Sequence, residues 1–309
     1  DFSNAAWSKG VTTVTPSFAD SPDGTTSASK ITGIEGTDGD GGLSELVDAS
    51  PSTTYTFSSY FKAASDSDVG KKVRLRQKRN GGSIVTSSEQ VILSSEWVRH
   101  SVTMTTLSDN TGVWATLTKD PTSPIAERAD ECLIWGGQIE TGTVATSYIA
   151  TSGSTVTRAK DDLVITGSDF TNFYNQSEGT FYVEYVMGTD TGQPFVIDVD
   201  NGDDNRIIIY NANGNNLVKF IKSLGTSTVS DTIDTRSPVG ALSRVALSYA
   251  TNNVQASQDG GNVVTDTSAT IPTNINRLSI GSRYGQSSVY KLNGHIKRLL
   301  YWPLHSDSL

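Results

Sequence analysis

Short runs in which every second residue is apolar recur along the whole chain, separated by Asn-Gly and Asp-Gly pairs. This alternation is typical of a β-strand with one buried face, whereas a helix needs apolar residues three and four positions apart. Asn, Asp and Gly tolerate the positive φ angles of tight hairpin turns. Such pairs stand at Asp23-Gly24, Asn80-Gly81, Asn201-Gly202, Asn213-Gly214, Asp259-Gly260 and Asn293-Gly294. The pattern predicts an all-β chain of antiparallel strands.

The alternating runs also predict where the clearest strands lie. In the first half we predict strands at Thr53 to Phe61, Lys72 to Lys78, Trp97 to Met104, Val113 to Thr118 and Glu131 to Ile139. In the second half we predict them at Thr180 to Met187, Pro194 to Val199, Arg206 to Tyr210, Leu217 to Lys222, Leu242 to Tyr249, Val254 to Gln258, Arg277 to Ile280 and His295 to Trp302. Many short strands without helices between them favour antiparallel sandwiches or jelly rolls over a parallel βαβ fold.

The length of the chain predicts two domains. It has 309 residues, and one domain commonly holds about 100–200 residues. The stretch from Ala150 to Lys160 consists mainly of small polar residues without a hydrophobic period, as a linker does. We therefore predict two β-sandwich domains in tandem, over 1–150 and 161–309, joined by a linker over 151–160.

Charge and composition exclude several classes of function. The formal net charge is -9 at pH 7, which disfavours a nucleic-acid surface because phosphate binding uses clustered Lys and Arg. No run approaches the ~18 apolar residues of a membrane span, so we expect no membrane insertion. The single cysteine, Cys132, excludes an internal disulfide framework. With 3 His residues, zinc chemistry is not expected either.

Several segments of the first half form a recognisable set of motifs. They are Asn4-Ala-Ala-Trp7, Ser21-Pro-Asp-Gly-Thr-Thr-Ser-Ala28, Tyr55-Thr-Phe-Ser-Ser-Tyr-Phe-Lys-Ala63, Ser95-Glu-Trp-Val-Arg99, Ile134-Trp-Gly-Gly-Gln-Ile-Glu140, Ala145-Thr-Ser-Tyr-Ile149 and Val156-Thr-Arg-Ala159. On these motifs the first half resembles the N-terminal jelly-roll modules, of the carbohydrate-binding type, of bacteriophage tail-fibre and tailspike-like proteins.

The second half has its own set of motifs. They are Phe173-Tyr-Asn-Gln-Ser-Glu-Gly-Thr-Phe-Tyr182, Ser257-Gln-Asp-Gly-Gly261, Gly294-His-Ile-Lys-Arg-Leu-Leu-Tyr-Trp302 and Ser306-Asp-Ser-Leu309. On these the second half resembles the concanavalin A-like or laminin G-like lectin sandwiches of the same phage proteins.

The two resemblances imply a phage structural protein, located in the virion at the tail or surface, or extracellular. They imply cell-surface or extracellular polysaccharide as the partner, and contacts with other virion proteins or with further copies in a homo-oligomer such as a trimer. No cofactor is required. A structural Ca²⁺ is compatible with the resemblance, although the sequence does not identify its ligands.

The sequence does not present the groups that glycan-cleaving enzymes need. Such enzymes use paired carboxyl groups, and the Glu-x-Asp-x-x-Glu pattern of laminarinase-like enzymes is absent, with Asp198 and Asp200 the nearest match. The Tyr60-Phe-Lys-Ala63 segment is similar to a motif of jelly-roll alginate lyases, but it stands in the wrong order relative to their other motifs. We therefore expect no catalytic activity.

Position within strands selects the candidate binding residues. In the run from 112 to 118, Val113, Ala115 and Leu117 form the inward face, which leaves Trp114 outward as a platform for stacking on a sugar ring. Arg74 and Arg76 lie opposite the inward Val73 and Leu75, where they face either an acidic polysaccharide or solvent alone.

The second half offers a separate set of candidates. Tyr210 follows the run Arg206-Ile-Ile-Ile, and Arg283-Tyr284 together with Tyr290 flank a loop of Gly and Ser.

These observations predict a non-catalytic glycan-binding protein that uses aromatic stacking and polar contacts, each weak site being reinforced by copy number. Two alternatives remain open at this stage. One is a polysaccharide-degrading glycanase or lyase on a jelly-roll fold. The other is a purely architectural virion protein.

Overall fold

The structure is a computed structural model that describes residues 2–35, 42–80, 86–157, 161–188, 192–202, 204–212, 216–235, 237–285 and 290–309, without the side chains of Thr86, Phe220 and Thr235. The chain divides into two compact units, Asp1–Arg158 and Ala159–Leu309. The division lies inside the predicted linker 151–160, of which residues 158–160 lie outside the description. No helix among the described residues is long and apolar enough to cross a membrane.

The first unit is built from antiparallel strands. They are β1 (Thr13–Ala19), β2 (Ala28–Thr32), β3 (Leu43–Asp48), β4 (Thr54–Lys62), β5 (Lys72–Arg79), β6 (Thr86–Ile92), β7 (Val98–Thr105), β8 (Gly112–Lys119) and β9 (Glu131–Thr141). Sheet A has the strand order β1-β2-β9-β4-β7, and sheet B has the order β3-β8-β5-β6. Short 3-10 turns occur at Asp66–Asp68 and Ile125–Glu127.

The two sheets of the first unit pack face to face around one main core. Apolar residues at alternate positions point inward from both sheets, as the period of two requires. Sheet A contributes Ile31, Phe57, Phe61, Cys132 and Ile134, and sheet B contributes Leu43, Val73, Leu75, Ala115 and Leu117. The all-β sandwich predicted from the alternation is therefore confirmed for this unit.

The segment after β9 folds back over the outer face of sheet A. The carboxylate of Glu140 accepts hydrogen bonds from the backbone N–H and the hydroxyl of Thr146, at 2.8 and 2.6 Å. The side chain of Gln138 accepts the N–H of Ile149. The ring of Tyr148 packs on Trp135 with centroids 4.4 Å apart. The motifs around Ile134 to Ile149 thus hold this segment in place.

The second unit is a second antiparallel sandwich with one short helix, α1 (Gly167–Thr171). Its strands are β10 (Leu163–Thr166), β11 (Glu178–Met187), β12 (Phe195–Asp200), β13 (Arg206–Ala212), β14 (Asn216–Ser223), β15 (Thr226–Thr235), β16 (Leu242–Ala250), β17 (Asn253–Gln258), β18 (Val264–Asp266), β19 (Arg277–Ile280) and β20 (Gly294–Trp302). Sheet C has the order β10-β19-β12-β13-β14-β15, and sheet D has the order β18-β17-β16-β11-β20.

The core of the second unit lies between sheets C and D. Sheet C supplies Ile197, Val199, Ile207, Ile209 and Leu278, and sheet D supplies Phe181, Val183, Val245 and Leu247. Tyr185 and Tyr249 are also fully buried. The fold class predicted from the sequence, two antiparallel β-sandwiches in tandem, is confirmed.

The strands that the sequence analysis missed are mostly polar or short. They are β1, β2, β3, β6, β10, β15 and β18. In β15 the alternating inward residues are only Val229 and Ile233 among Ser, Thr and Asp. Such a strand can be identified from its pairing with β14 in the structure but not from its own composition.

One predicted hairpin turn is wrong. Asn293-Gly294 opens strand β20 instead of forming a turn, and Gly294 pairs with Met187. A Cβ at Gly294 would lie 2.0 Å from the carbonyl oxygen of Val186, so glycine is required here by close approach of the backbone. Asp259-Gly260 does form a turn with positive φ at both residues, 51° and 75°. Gly81, Asn213 and Gly214 lie outside the described residues.

Candidate functional site

The three candidate residues of the first unit lie on the outer face of sheet B. Strands β5 and β8 pair so that Arg74 is opposite Thr118, Arg76 is opposite Thr116, and Lys78 is opposite Trp114. Paired residues of antiparallel strands point to the same face. Trp114 is half-buried on this face. The alternation thus places Trp114, Arg76 and Arg74 on one face, in that order along the paired strands.

Arg74 is held by a fully buried carboxylate. Its Nε donates to Asp120 Oδ1 at 2.9 Å, and its remaining nitrogens donate to Ser88 and Thr122. Asp120 also accepts hydrogen bonds from Gln90, Thr122 and Ser123. Burial raises the pKa of Asp120, but these hydrogen bonds outweigh it and hold the pKa well below its usual range. The charge of Arg74 is therefore balanced within the face.

The floor of this face around Arg76 is polar and largely buried. Arg76 is 7% exposed, and its neighbour Thr116 is 3% exposed. Leu46 pairs with Trp114 from strand β3 and is 42% exposed. The face therefore combines an indole ring, an exposed aliphatic side chain and a buried guanidinium.

The second unit builds its cluster on the outer face of sheet C from two buried ion pairs. Asp198 and Asp200 both point outward from β12, since Ile197 and Val199 point into the core. Arg206 of β13 donates to Asp198, with Nη2 2.5 Å from Oδ2. Arg277 of β19 donates through Nε and Nη2 to the two oxygens of Asp200.

Arg277 connects these pairs to an exposed aromatic ring. Its guanidinium lies 4.0 Å from the ring centroid of Tyr284, which is 46% exposed. Cation and ring face attract each other, and Asp200 fixes the cation from the other side. Tyr284 is thus an exposed ring that packs against a guanidinium held in place by Asp200.

The other two candidates of the second unit belong to the same cluster. Tyr210 packs on Phe195 with centroids 5.2 Å apart, and Phe195 contacts Tyr290 at 5.7 Å. Arg283 lies over Tyr290 at 5.3 Å. The charge of Arg283 also acts on Asp198. Tyr210, Arg283 and Tyr284 therefore come together, and the six candidates form two sets, one in each unit.

Electrostatics distinguish the two carboxyl groups of the second cluster. Burial, together with a smaller contribution from the neighbouring Asp200, raises the pKa of Asp198 to about 7 against the opposing charge of Arg206. The hydrogen bonds to Asp200 raise the pKa of Arg277. In this arrangement both carboxyl groups are bonded to guanidinium groups and anchor them to the sheet.

The described residues hold no group of three or more His, Cys, Asp or Glu side chains that could bind a metal ion. Cys132 is fully buried, and burial raises the pKa of its thiol. Within the acidic run from Asp198 to Asn205, Asp198 and Asp200 bind arginines, Asp204 lies 3.6 Å from Lys222, and Asp203 lies outside the description.

The sequence analysis missed the groups that fix the candidate residues in place. Asp120 lies 46 positions from Arg74, Arg277 lies 77 positions from the Asp200 that anchors it, and Phe195 stands on a different strand from Tyr210, so no local pattern joins them. Alternation could have found one further residue. Because Leu299 and Tyr301 point inward in β20, Trp302 must point outward, where it is 48% exposed.

No protein-family model matches the chain, and no curated protein is similar to it in sequence. Among solved structures it is similar to the CBM40 module of a Ruminococcus gnavus IT-sialidase bound to sialyllactose, at 14% identity and TM-score 0.40 over 48% of this chain and 92% of that one. Mouse laminin α1 domains LG4-5 match at 10% identity and TM-score 0.40, over 83% and 84%. A CBM22 tandem from Paenibacillus barcinonensis Xyn10C matches at 11% identity and TM-score 0.32, over 96% and 93%. At these values the similarities carry no argument about ligand or activity.

Proposed function

We propose that this chain is a non-catalytic glycan-binding protein. The observation that carries the proposal is the ring of Tyr284, which is 46% exposed and is packed at 4.0 Å by the anchored guanidinium of Arg277. Sugars bind to exposed aromatic faces while nearby polar groups bond their hydroxyls. A ring that is already fixed loses little conformational freedom when a ligand arrives.

The outer face of sheet B supplies a second platform of the same kind. Trp114 would stack on a sugar ring, above a floor to which Arg76, 7% exposed, contributes. Arg74 is paired with Asp120 and would stabilise the floor of this face rather than contact the ligand directly. Each platform alone would bind weakly. Two platforms that bind the same polysaccharide would raise the overall affinity, and further copies in a virion would add to this avidity.

The setting that we propose is a phage tail fibre or virion surface, acting in receptor binding or decoration. This rests on the sequence motifs of the two halves and includes assembly into a homo-oligomer. In that setting the ligand is a polysaccharide of the host surface or of the extracellular matrix.

Affinity electrophoresis through gels that contain soluble polysaccharides tests the proposal. Wild-type protein is expected to be retarded by at least one polysaccharide, and Tyr284→Ala is expected to lose about tenfold in affinity. Phe18→Ala is the matched control, because Phe18 is a 50% exposed ring beside Lys30 that lies outside both platforms. Equal retardation of wild type and Tyr284→Ala would contradict the role of this ring.

The non-catalytic part of the proposal has a separate test. Reducing ends and unsaturated uronic ends are measured after long incubation with the same polysaccharides. We expect no release above a heat-denatured control. Release that Asp198→Asn or Asp200→Asn abolishes would instead establish a glycanase or lyase.

A further inference from the structure

The outer face of sheet D presents an aromatic surface with two arginines, formed by residues that belong to neither platform. Strand β11 pairs with β20 and β16, so that Trp302 is level with Thr180, Leu300 with Tyr182, and Arg298 with Glu184 and Arg244. We define this surface, formed by Tyr182, Arg244, Arg298, Leu300 and Trp302, as the β20 face.

The chain on both sides of Trp302 is held in place. Its neighbour Tyr301 packs into the core on Phe181, with centroids 4.6 Å apart. The following segment is fixed, since Leu304 O accepts from Thr180 Oγ1 at 2.8 Å and Ser306 N donates to Ser248 Oγ at 2.8 Å. The indole of Trp302 is 48% exposed, and Leu304 beside it is 65% exposed. An exposed indole on a chain segment that is held in place offers a stacking surface.

The carboxylates around this face are already engaged. Glu184 accepts the hydroxyl of Tyr182 at 2.7 Å and lies 3.7 Å from Arg244. Asp259 accepts the backbone N–H of Arg244, and Glu178 accepts the N–H of His305.

One cation of the face is less engaged than its carboxylates. Among the described residues, no carboxylate lies within 4.0 Å of the charged group of Arg298, and its side chain is exposed. The exposed guanidinium of Arg298 is therefore open to an anionic group of a ligand.

We propose that the β20 face binds an acidic polysaccharide, with a sugar ring stacked on Trp302 and a uronate carboxylate at Arg298. The two side chains lie on the same face of one strand four residues apart, about 13 Å along it, so a chain of several sugars must span them. A guanidinium binds a carboxylate through two parallel hydrogen bonds. This inference rests on the proposed glycan-binding function and adds a site and a ligand class to it.

The test uses polygalacturonate and its fully methyl-esterified form, which share a backbone and differ in the carboxylate. Binding of the full chain is measured by titration calorimetry at low and high salt. We expect wild-type protein to prefer the acid form and to lose affinity as salt rises. Trp302→Ala is expected to bind the acid form about tenfold more weakly, and Trp302→Tyr to restore most of the affinity. Arg298→Gln is expected to weaken binding and to flatten the salt dependence, whereas the control Lys62→Gln in the first unit leaves both unchanged.

Several results would overturn the inference. Alginate and hyaluronate are included, and failure of wild-type protein to bind any of the three uronate polymers contradicts it. Uronate binding that Trp302→Ala leaves unchanged also contradicts it. If Tyr284→Ala weakens that binding, the proposed glycan-binding function is supported and the site at Trp302 is wrong. Thermal melts of each variant exclude misfolding as the cause. If wild-type protein binds no uronate polymer but self-associates, and Trp302→Ala abolishes the self-association, the β20 face is an interface with a second copy of the chain.

Discussion

At the scale of single residues, the candidate sites depend on arginines that buried aspartates hold in place. Asp120 fixes Arg74 in the first unit, and Asp198 and Asp200 fix Arg206 and Arg277 in the second. Removing one partner of such a pair leaves a buried charge without compensation, which is far more costly than losing a surface ion pair.

The pair formed by Asp120 predicts how the stability of the first unit depends on pH. The pKa of Asp120 in the folded state lies below its ordinary value of 3.8, so the unfolded state binds more protons as pH falls. Its contribution is therefore present above about pH 4 and is lost below it. Asp120→Asn is expected to lower the free energy of unfolding at neutral pH by about 3 kcal/mol and to weaken this acid dependence.

Urea unfolding followed by circular dichroism between pH 2 and 7 measures both effects. Asp130→Asn is the control, since the side chain of Asp130 is 80% exposed and pairs only at the surface with Lys119. An Asp120→Asn variant as stable as this control would show that the pair does not hold the face.

Trp114 gives a second prediction at this scale. Because its ring lies on the outer face, Trp114→Ala should weaken glycan binding by about 1–3 kcal/mol and change stability little. Titration calorimetry and a thermal melt of the same variant measure the two effects. A melting temperature lowered by many degrees would mean that the ring is part of the core, and unchanged binding at unchanged stability would remove Trp114 from the site.

At the scale of elements, the alternation of apolar residues predicted the inner faces well. Val73 and Leu75 in β5, and Val113, Ala115 and Leu117 in β8, are buried as the period of two requires. The pattern could not predict β15 or β18, because polar strands are stabilised by pairing with a neighbour that sequence alone does not identify. It could not predict Asp120 as the partner of Arg74 for the same reason, since 46 positions separate them.

Strand β14 contains a lysine that no pattern predicted. Lys219 is fully buried on the inner face of sheet C, and its Nζ donates to the carbonyl oxygens of Val254 and Val264 in sheet D, both at 2.9 Å. Burial lowers the pKa of this amine, while Asp231 and Asp266 oppose the shift. The side chain therefore links the two sheets of the second unit.

Lys219→Met is expected to lower the free energy of unfolding of the second unit by about 1–3 kcal/mol, because two buried carbonyl groups lose their donor. Lys222→Met on the outer face should change it by less than about 0.5 kcal/mol. Chemical denaturation of both variants measures the difference. A Lys219→Met variant that matches Lys222→Met would contradict the linking role.

At the scale of the whole molecule, the chain forms two compact units with separate cores. Residues 151–157 between them are exposed and lie outside the strands, which is typical of a protease-sensitive connection. Limited proteolysis is expected to cut there first and to release two folded fragments, identified by mass spectrometry and circular dichroism. Cleavage that never precedes global unfolding would contradict the two-module organisation.

A glycan array probed with the intact chain is the most direct test of glycan binding through Trp114 and Tyr284. Wild-type protein and Phe18→Ala are expected to bind a subset of glycans. The double variant Trp114→Ala/Tyr284→Ala is expected to lose most of that signal, while its thermal melt stays close to that of wild type. An array that is silent for wild-type protein, or a double variant that binds as wild type does, would contradict this prediction.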